Sequence, residues 1–271
     1  MLEPVNNSIN QLIAAVLASS KYCNICPEII ERIGSAELSK RYSFKEAVKA
    51  TKNKLHQIGG AYLDSQPAYE EWEIRLKELE NSKDRNAWRS ACKSMMQFHS
   101  STRERLESID HFYSQILEGI PRVDKVLDLA CGLHPLGMPW MNLPEGVEYT
   151  AGDIYRDMMD FLSHFMHYFP VHATCLATDV LNHDFSQEYD LVYLLKSVPC
   201  LEQIDKNAGA WLLENVTASH IIVSFPAHSL GGRSKGMVMN YEKRFTQLLT
   251  GKPWKVRRYE FPSELVFRIS R

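Results

Sequence analysis

At 271 residues, with 45% hydrophobic and 24% charged side chains, the chain has the make-up of a folded protein and room for one catalytic domain plus an extension. That mix excludes a disordered chain, and a formal net charge of −2 excludes a global basic field, so any nucleic-acid contact must come from local patches. The first twenty residues lack the basic start and unbroken apolar run of a signal or membrane span, and six scattered cysteines fit a reducing compartment, so a cytoplasmic protein without a membrane segment is expected.

Residues 1–97 read as helices. Ile9, Leu12, Ile13, Val16 and Leu17 recur at helical spacing behind a capping Ser8. Pro27 opens a second helix with Ile29, Ile30 and Ile33 as its apolar residues. Ser43 caps a third that runs towards His56 and ends at Gly59 and Gly60. Residues 70–79 and 87–99 give further helices. Arg41, Lys45, Lys49 and Lys52 are spaced four, four and three residues apart, which puts them in one stripe on the third helix. A solvated face and a phosphate-binding face read alike at this level.

The pattern changes near Ile120. Strands fall at 125–129, 147–151, 173–176, 191–195 and 221–225, with helices around 158–165 and 210–216 between them and a closing strand at 263–269. Strands alternating with helices build parallel βαβ units, so the fold class is α/β, a Rossmann-like sheet behind an N-terminal α-helical domain, divided as 1–97 and 98–271.

Val126-Leu-Asp-Leu-Ala-Cys-Gly132 is a strand running into a tight turn where backbone can approach a ligand. Asp153 ends the second strand, where such sheets place an acid on a ribose diol, and Asp179 with Val180 follows the third, suited to an adenine edge. Three aspartates in successive turns (Asp128, Asp153, Asp179) point to a nucleoside ligand, although helix caps use the same residue. The turn continues Leu133-His-Pro-Leu136 with one glycine in the window, too few for a pyrophosphate. S-adenosylmethionine carries no phosphate and tolerates such a turn, which favours a class I methyltransferase over an NAD-type oxidoreductase. The Cys23/Cys26 pair has no second pair at zinc spacing, and His164, His167 and His172 lack a matching carboxylate, so no metal is expected.

Five phrases carry a resemblance: Lys54-Leu-His-Gln-Ile-Gly-Gly-Ala-Tyr62, His99-Ser-Ser-Thr-Arg-Glu-Arg105, Leu127-Asp-Leu-Ala-Cys-Gly132, Leu194-Leu-Lys-Ser-Val-Pro-Cys-Leu201, and Val223-Ser-Phe-Pro-Ala-His-Ser-Leu-Gly-Gly-Arg-Ser-Lys-Gly-Met237. They resemble the aminoglycoside-resistance 16S rRNA (guanine(1405)-N(7))-methyltransferases of the Arm, Rmt, Sgm and FmrO type. The chain departs from several relatives at His134, where they carry Asn or Phe, and residues 64–86 match nothing clearly. The resemblance implies a Rossmann-like class I fold, S-adenosyl-L-methionine as donor with S-adenosyl-L-homocysteine as product, and 16S rRNA within the 30S subunit as partner of a monomer. It places cofactor contacts on Tyr62, His99, Ser100, Ser101, Arg105, Ala130, Gly132, Asp153, Asp179, Val180, Leu195 and Gln203. Arg105 is suited to a forked pair with the methionine carboxylate; the competing reading is a surface pair with Glu104 or Glu107. RNA contacts are expected at Arg41, Lys45, Lys49, Lys52, Lys196, Arg233 and Lys235.

Guanine N7 carries a lone pair and no proton, so no general base is expected. Cys200 is a nucleophile candidate by analogy with pyrimidine methylation, set against a buried structural cysteine. The alternatives are a class I methyltransferase acting on another rRNA position or a small molecule, and a non-catalytic adenosine-binding module.

Overall fold

The computed structural model describes residues 3–40, 43–63, 65–228 and 236–271. Strands β1 (Lys125–Leu129), β2 (Val147–Asp153), β3 (Val171–Ala177), β4 (Glu188–Leu195), β5 (Thr217–Pro226), β6 (Lys255–Glu260) and β7 (Glu264–Ser270) form one sheet in the order β3-β2-β1-β4-β5-β7-β6. The first five are parallel, and β7 runs antiparallel between β5 and β6. The centre is a run of β-branched and aliphatic residues buried on both faces: Leu191, Val192, Leu194, Ile221, Ile222 and Val223 are wholly inaccessible. β6 is solvent-facing along most of its length, an edge held by β7 alone.

The helical segment contains α1 (Glu3–Leu17), α2 (Pro27–Leu38), α3 (Phe44–Leu55), α4 (Tyr69–Leu79) and α5 (Arg85–Met96). Pro27 opens α2 and the Ser43 hydroxyl accepts the Glu46 N–H at α3, as expected. α1 begins at Glu3, so Ser8 is not its cap. α3 passes after Leu55 into a π-turn over His56–Gly60, so the helical run ends at the glycines, and α5 ends at Met96, leaving His99 to cap the next helix. That helix, α6 (Ser100–Arg105), and its neighbour α7 (Ile109–Ile116) are tied to β7, through Arg105 to Glu264 and through Arg268 to the Ile116 carbonyl. α8 (Met138–Met141), α9 (Arg156–Met166), α10 (Val198–Leu201), α11 (Ala208–Asn215) and α12 (Met237–Leu249) complete the set, with no helix of the described residues long and apolar enough to cross a membrane.

One buried cluster runs from the N-terminal helices into the sheet. It joins Leu12, Ile30, Trp72 and Met95 to Leu133, Phe161, Phe165 and Tyr149. α9 is the hinge of this packing: Met158, Phe161, Leu162 and Phe165 are buried between β2–β3 and α4, and Phe161 stacks on Tyr69 at 5.1 Å. Each such apolar side chain contributes about 1.5–3 kcal/mol. Polar ties supplement it: Cys26 N–H donates to Ile154 O at 2.8 Å, and Arg156 N–H donates to Asn24 O at 2.8 Å.

Candidate functional site

The parallel strands β1, β2 and β4 all end at one sheet edge, where ligands bind in such folds. Two of those ends leave ordinary backbone space without using glycine: Ala130 has φ 50 and Lys196 has φ 56. Residues with a Cβ adopt that region only when their surroundings enforce it, and they concentrate at functional sites. Gly132 follows with φ 51, and a Cβ there would lie 2.9 Å from the His99 ring, so glycine is required twice over.

Asp153 organises this turn. One carboxylate oxygen accepts the Gly132 N–H at 2.9 Å and the other the Ile154 N–H at 2.7 Å. Burial pushes its carboxyl up to about 6, against the pull of those two amides. Across the turn His99 stacks on Tyr62 (centroids 5.9 Å, 15° between planes), and Ser101 Oγ lies 3.2 Å from its Nδ1. Burial, with the Arg105 and Lys196 charges, lowers His99 to about 4, so its ring is neutral near pH 7. Ser100 is buried and donates its N–H to Tyr62 O, which fixes the start of α6 against the segment after the π-turn. Leu195 and Val180 are buried walls.

Some expected residues sit differently. Arg105 is neither on the surface nor paired with Glu104 or Glu107. It is fully buried, and the fork expected for a ligand carboxylate is taken by Glu264 of β7, at 2.6 Å from Nε and 2.9 Å from Nη2. Only Nη1 is left, buried and unpartnered. Lys196 was expected to meet RNA, yet its side chain is 4% exposed and its ammonium lies 2.6 Å from Glu104 Oε2. The positive φ turns this residue back under α6, away from solvent. Asp179 is buried; one oxygen accepts the Leu181 N–H at 3.0 Å and the other pairs with Arg32 of α2. A carboxylate retains further lone pairs for an adenine amine. Gln203 is exposed on the turn after α10. Arg32 was missed, because nothing in the local sequence distinguishes it from any helix-surface arginine.

Cys200 is buried, with its Sγ 3.0 Å from the Tyr62 hydroxyl, and burial pushes its thiol up. Cys23 is exposed while Cys26 is buried, and His164 pairs with Glu73. On α3, Lys45 and Lys49 are exposed and Lys52 half-exposed, opposite the buried Ala47, Thr51 and Leu55. Lys21 and His56 extend that face, their side chains 3.1 Å apart. Lys40 and Lys54 turn instead to Glu37, at 3.7 and 3.6 Å. Arg41, Arg233 and Lys235 lie outside the described residues.

Comparison with known proteins agrees with this geometry. The ribosomal RNA methyltransferase (FmrO) family matches residues 18–268. A 16S rRNA (guanine(1405)-N(7))-methyltransferase from Micromonospora rosea is 35% identical over 266 residues, covering 97% of each chain. One from Serratia marcescens is 34% identical over 242 residues and 88% of each chain. Among solved structures, 16S rRNA methyltransferase RmtF in complex with S-adenosyl-L-homocysteine superposes with a TM-score of 0.82 at 29% identity, over 97% of this chain and 98% of that one. Since the match runs through both the helical segment and the sheet, this chain belongs to the FmrO family of ribosomal RNA methyltransferases.

Proposed function

We propose that the protein is a 16S rRNA (guanine(1405)-N(7))-methyltransferase, which moves the methyl group of S-adenosylmethionine to guanine N7 in the decoding site of the 30S subunit and so gives aminoglycoside resistance. The observation that carries this reading is end-to-end similarity to curated enzymes of that name, at 35% identity across 97% of both chains. Methylating 30S subunits with the purified protein and mapping the modified nucleotide tests it. A methyl group on a pyrimidine, on an exocyclic amine or at another position would overturn it.

The site residues then take these roles. Asp153 accepts the ribose hydroxyls, the Ala130–Gly132 turn lets backbone approach the cofactor, and Asp179 with Val180 meets the adenine edge. Arg105 takes the methionine carboxylate through Nη1. Tyr62, His99, Ser100, Ser101 and Leu195 wall the methyl-transfer end, with Gln203 at its rim. A flipped base held in line with the sulfonium methyl reacts through its own lone pair, so positioning replaces proton transfer. Residues 1–97 dock and residues 98–271 transfer, in a monomer working in the cytoplasm.

Two predictions follow from this mechanism. Cys200→Ser should retain most single-turnover activity on saturating 30S subunits, because a thiol raised by burial is a poor nucleophile. The rate should also stay level between about pH 6.5 and 8.5, where a tuned base would titrate. A folded but inactive serine variant would restore the thiolate mechanism.

Replacing Lys45, Lys49 and Lys52 with alanine should weaken 30S binding about tenfold or more and flatten its salt dependence, each lost phosphate contact removing about 0.9 from the log–log slope. Cofactor affinity should be unchanged, since α3 carries these cations on its outer face. An unaltered salt slope would make the stripe ordinary solvated surface.

A further inference from the structure

Beneath α6 and α7 the sheet carries a layer of buried polar groups. Asp128 of β1 stands at its centre, beside Tyr149 of β2 and Tyr193 of β4, with Arg105 and Glu264 nearby. His134, from the 3-10 turn His134–Gly137 just after the cofactor loop, enters this layer fully buried. Its Nδ1 lies 2.7 Å from Asp128 Oδ2, donating to the carboxylate, and the Tyr149 hydroxyl donates to the same oxygen at 2.8 Å. The His134 ring is stacked on Tyr113 at 5.8 Å and set edge-on to Tyr193 at 4.8 Å.

Two opposite charges in this layer are incomplete. Asp128 Oδ1 is buried with no hydrogen-bond partner, and Arg105 Nη1 is buried with none of hydrogen-bond geometry, the Tyr113 hydroxyl lying beside the guanidinium. Leaving a buried charged donor or acceptor unpaired is costly, so such atoms mark the place of a missing polar group. An unpaired anion and an unpaired cation next to the cofactor turn together suit a ligand bearing an ammonium and a carboxylate on one carbon. The methionine half of the cofactor is such a group, and the inference rests on the cofactor reading above.

We propose that His134 is a positioning residue for recognition of the cofactor's amino group. By holding Asp128 Oδ2, it leaves Oδ1 as the oxygen presented to the ammonium, while Arg105 Nη1 takes the carboxylate. Tyr149 alone does not fix the carboxylate plane, because a single hydroxyl donor on one oxygen permits rotation about the Cβ–Cγ bond.

The test compares two ligands by calorimetry: S-adenosylhomocysteine, and 5′-methylthioadenosine, which keeps the adenosine and sulfur but lacks the amino acid. His134→Phe keeps the ring and its stacking but removes the donor. It should weaken S-adenosylhomocysteine about tenfold, the scale of one charge-assisted hydrogen bond, and leave methylthioadenosine within about twofold. His134→Asn, whose amide nitrogen overlies Nδ1, should bind as the parent does. His134→Gln, whose amide nitrogen overlies Nε2, should behave like the Phe variant. The Asn/Gln pair keeps the test sharp even where the Phe variant does not fold. Equal losses on both ligands, or an Asn variant as weak as the Gln variant, would assign His134 to packing alone. A parent protein that binds neither ligand would overturn the cofactor reading itself.

Discussion

Asp153→Asn should weaken S-adenosylmethionine binding by roughly one to two orders of magnitude, the loss of a charge-assisted pair to the ribose amounting to about 1.5–3 kcal/mol. Asparagine is the right probe because it still offers an oxygen to the Gly132 or Ile154 N–H, both of which alanine would orphan. The raised carboxyl sets the pH dependence. In the free protein it sits at about 6, against an ordinary 3.8, and the ionised form is the one that accepts ribose hydroxyls. Affinity should therefore be level above about pH 7 and fall towards tenfold per pH unit below about 6, with the Asn variant showing no such fall. The stability contribution has the opposite sign: a folded-state value above the unfolded one favours folding below about 3.8, and that contribution is lost as the pH rises through about 6. At pH 8 the Asn variant should melt no lower than the parent by this effect. Parent-like affinity in a folded Asn variant would remove Asp153 from the ribose site.

Glu264→Ala should be the most destabilising single change near the site, by about 3–5 kcal/mol, because it strands the buried Arg105 guanidinium. The melting temperature should drop by roughly 10 °C for a chain of this size. Replacing both partners, as Arg105→Met with Glu264→Leu, should recover much of the stability yet not the cofactor affinity, which separates the fold's need for a satisfied pair from the ligand's need for a cation. Burial alone would raise the Glu264 carboxyl, but the Arg105 charge, aided by Lys196, holds it well below the usual range. That stabilisation is complete above the ordinary glutamate value of about 4.5 and is lost progressively as the pH falls from there towards about 2. Thermal unfolding at pH 7.5 and at about pH 2.5 checks both claims; a single alanine variant as stable as the parent would show the pair to be expendable.

The parallel core was legible because its strands are unbroken apolar runs, and the turn after β1 because its aspartates and Gly132 keep a fixed relation to strand ends. Antiparallel β7 was readable from residues 263–269 for the same reason. β6 was not: Lys-Val-Arg-Arg-Tyr-Glu has no apolar alternation and becomes a strand only by pairing with β7. α12 was overlooked although Val238, Tyr241, Phe245 and Leu248 recur at helical spacing, with Phe245 buried against Phe267. The partners of the site's charged groups were beyond local reading. Arg105 and Glu264 are 159 residues apart, and Arg32 and Asp179 are 147 apart, so their pairing depends on the finished topology. Lys196 misled for a geometric reason: a lysine at a strand's carboxyl end ordinarily faces solvent, and only its left-handed backbone sends it inward.

The grip of α2 and α4 on the sheet side of the molecule bears on how such a protein can change over generations. Arg32 reaches across to Asp179, Asn24 donates to Asp157, and Tyr69 and Trp72 lie against Phe161 of α9. A recombination event that supplied a foreign helical head would have to bring a matching surface for α9 and a counter-charge for Asp179 at the same time. Point substitution on an outward face, such as that of the lysines of α3, leaves this shared interior untouched.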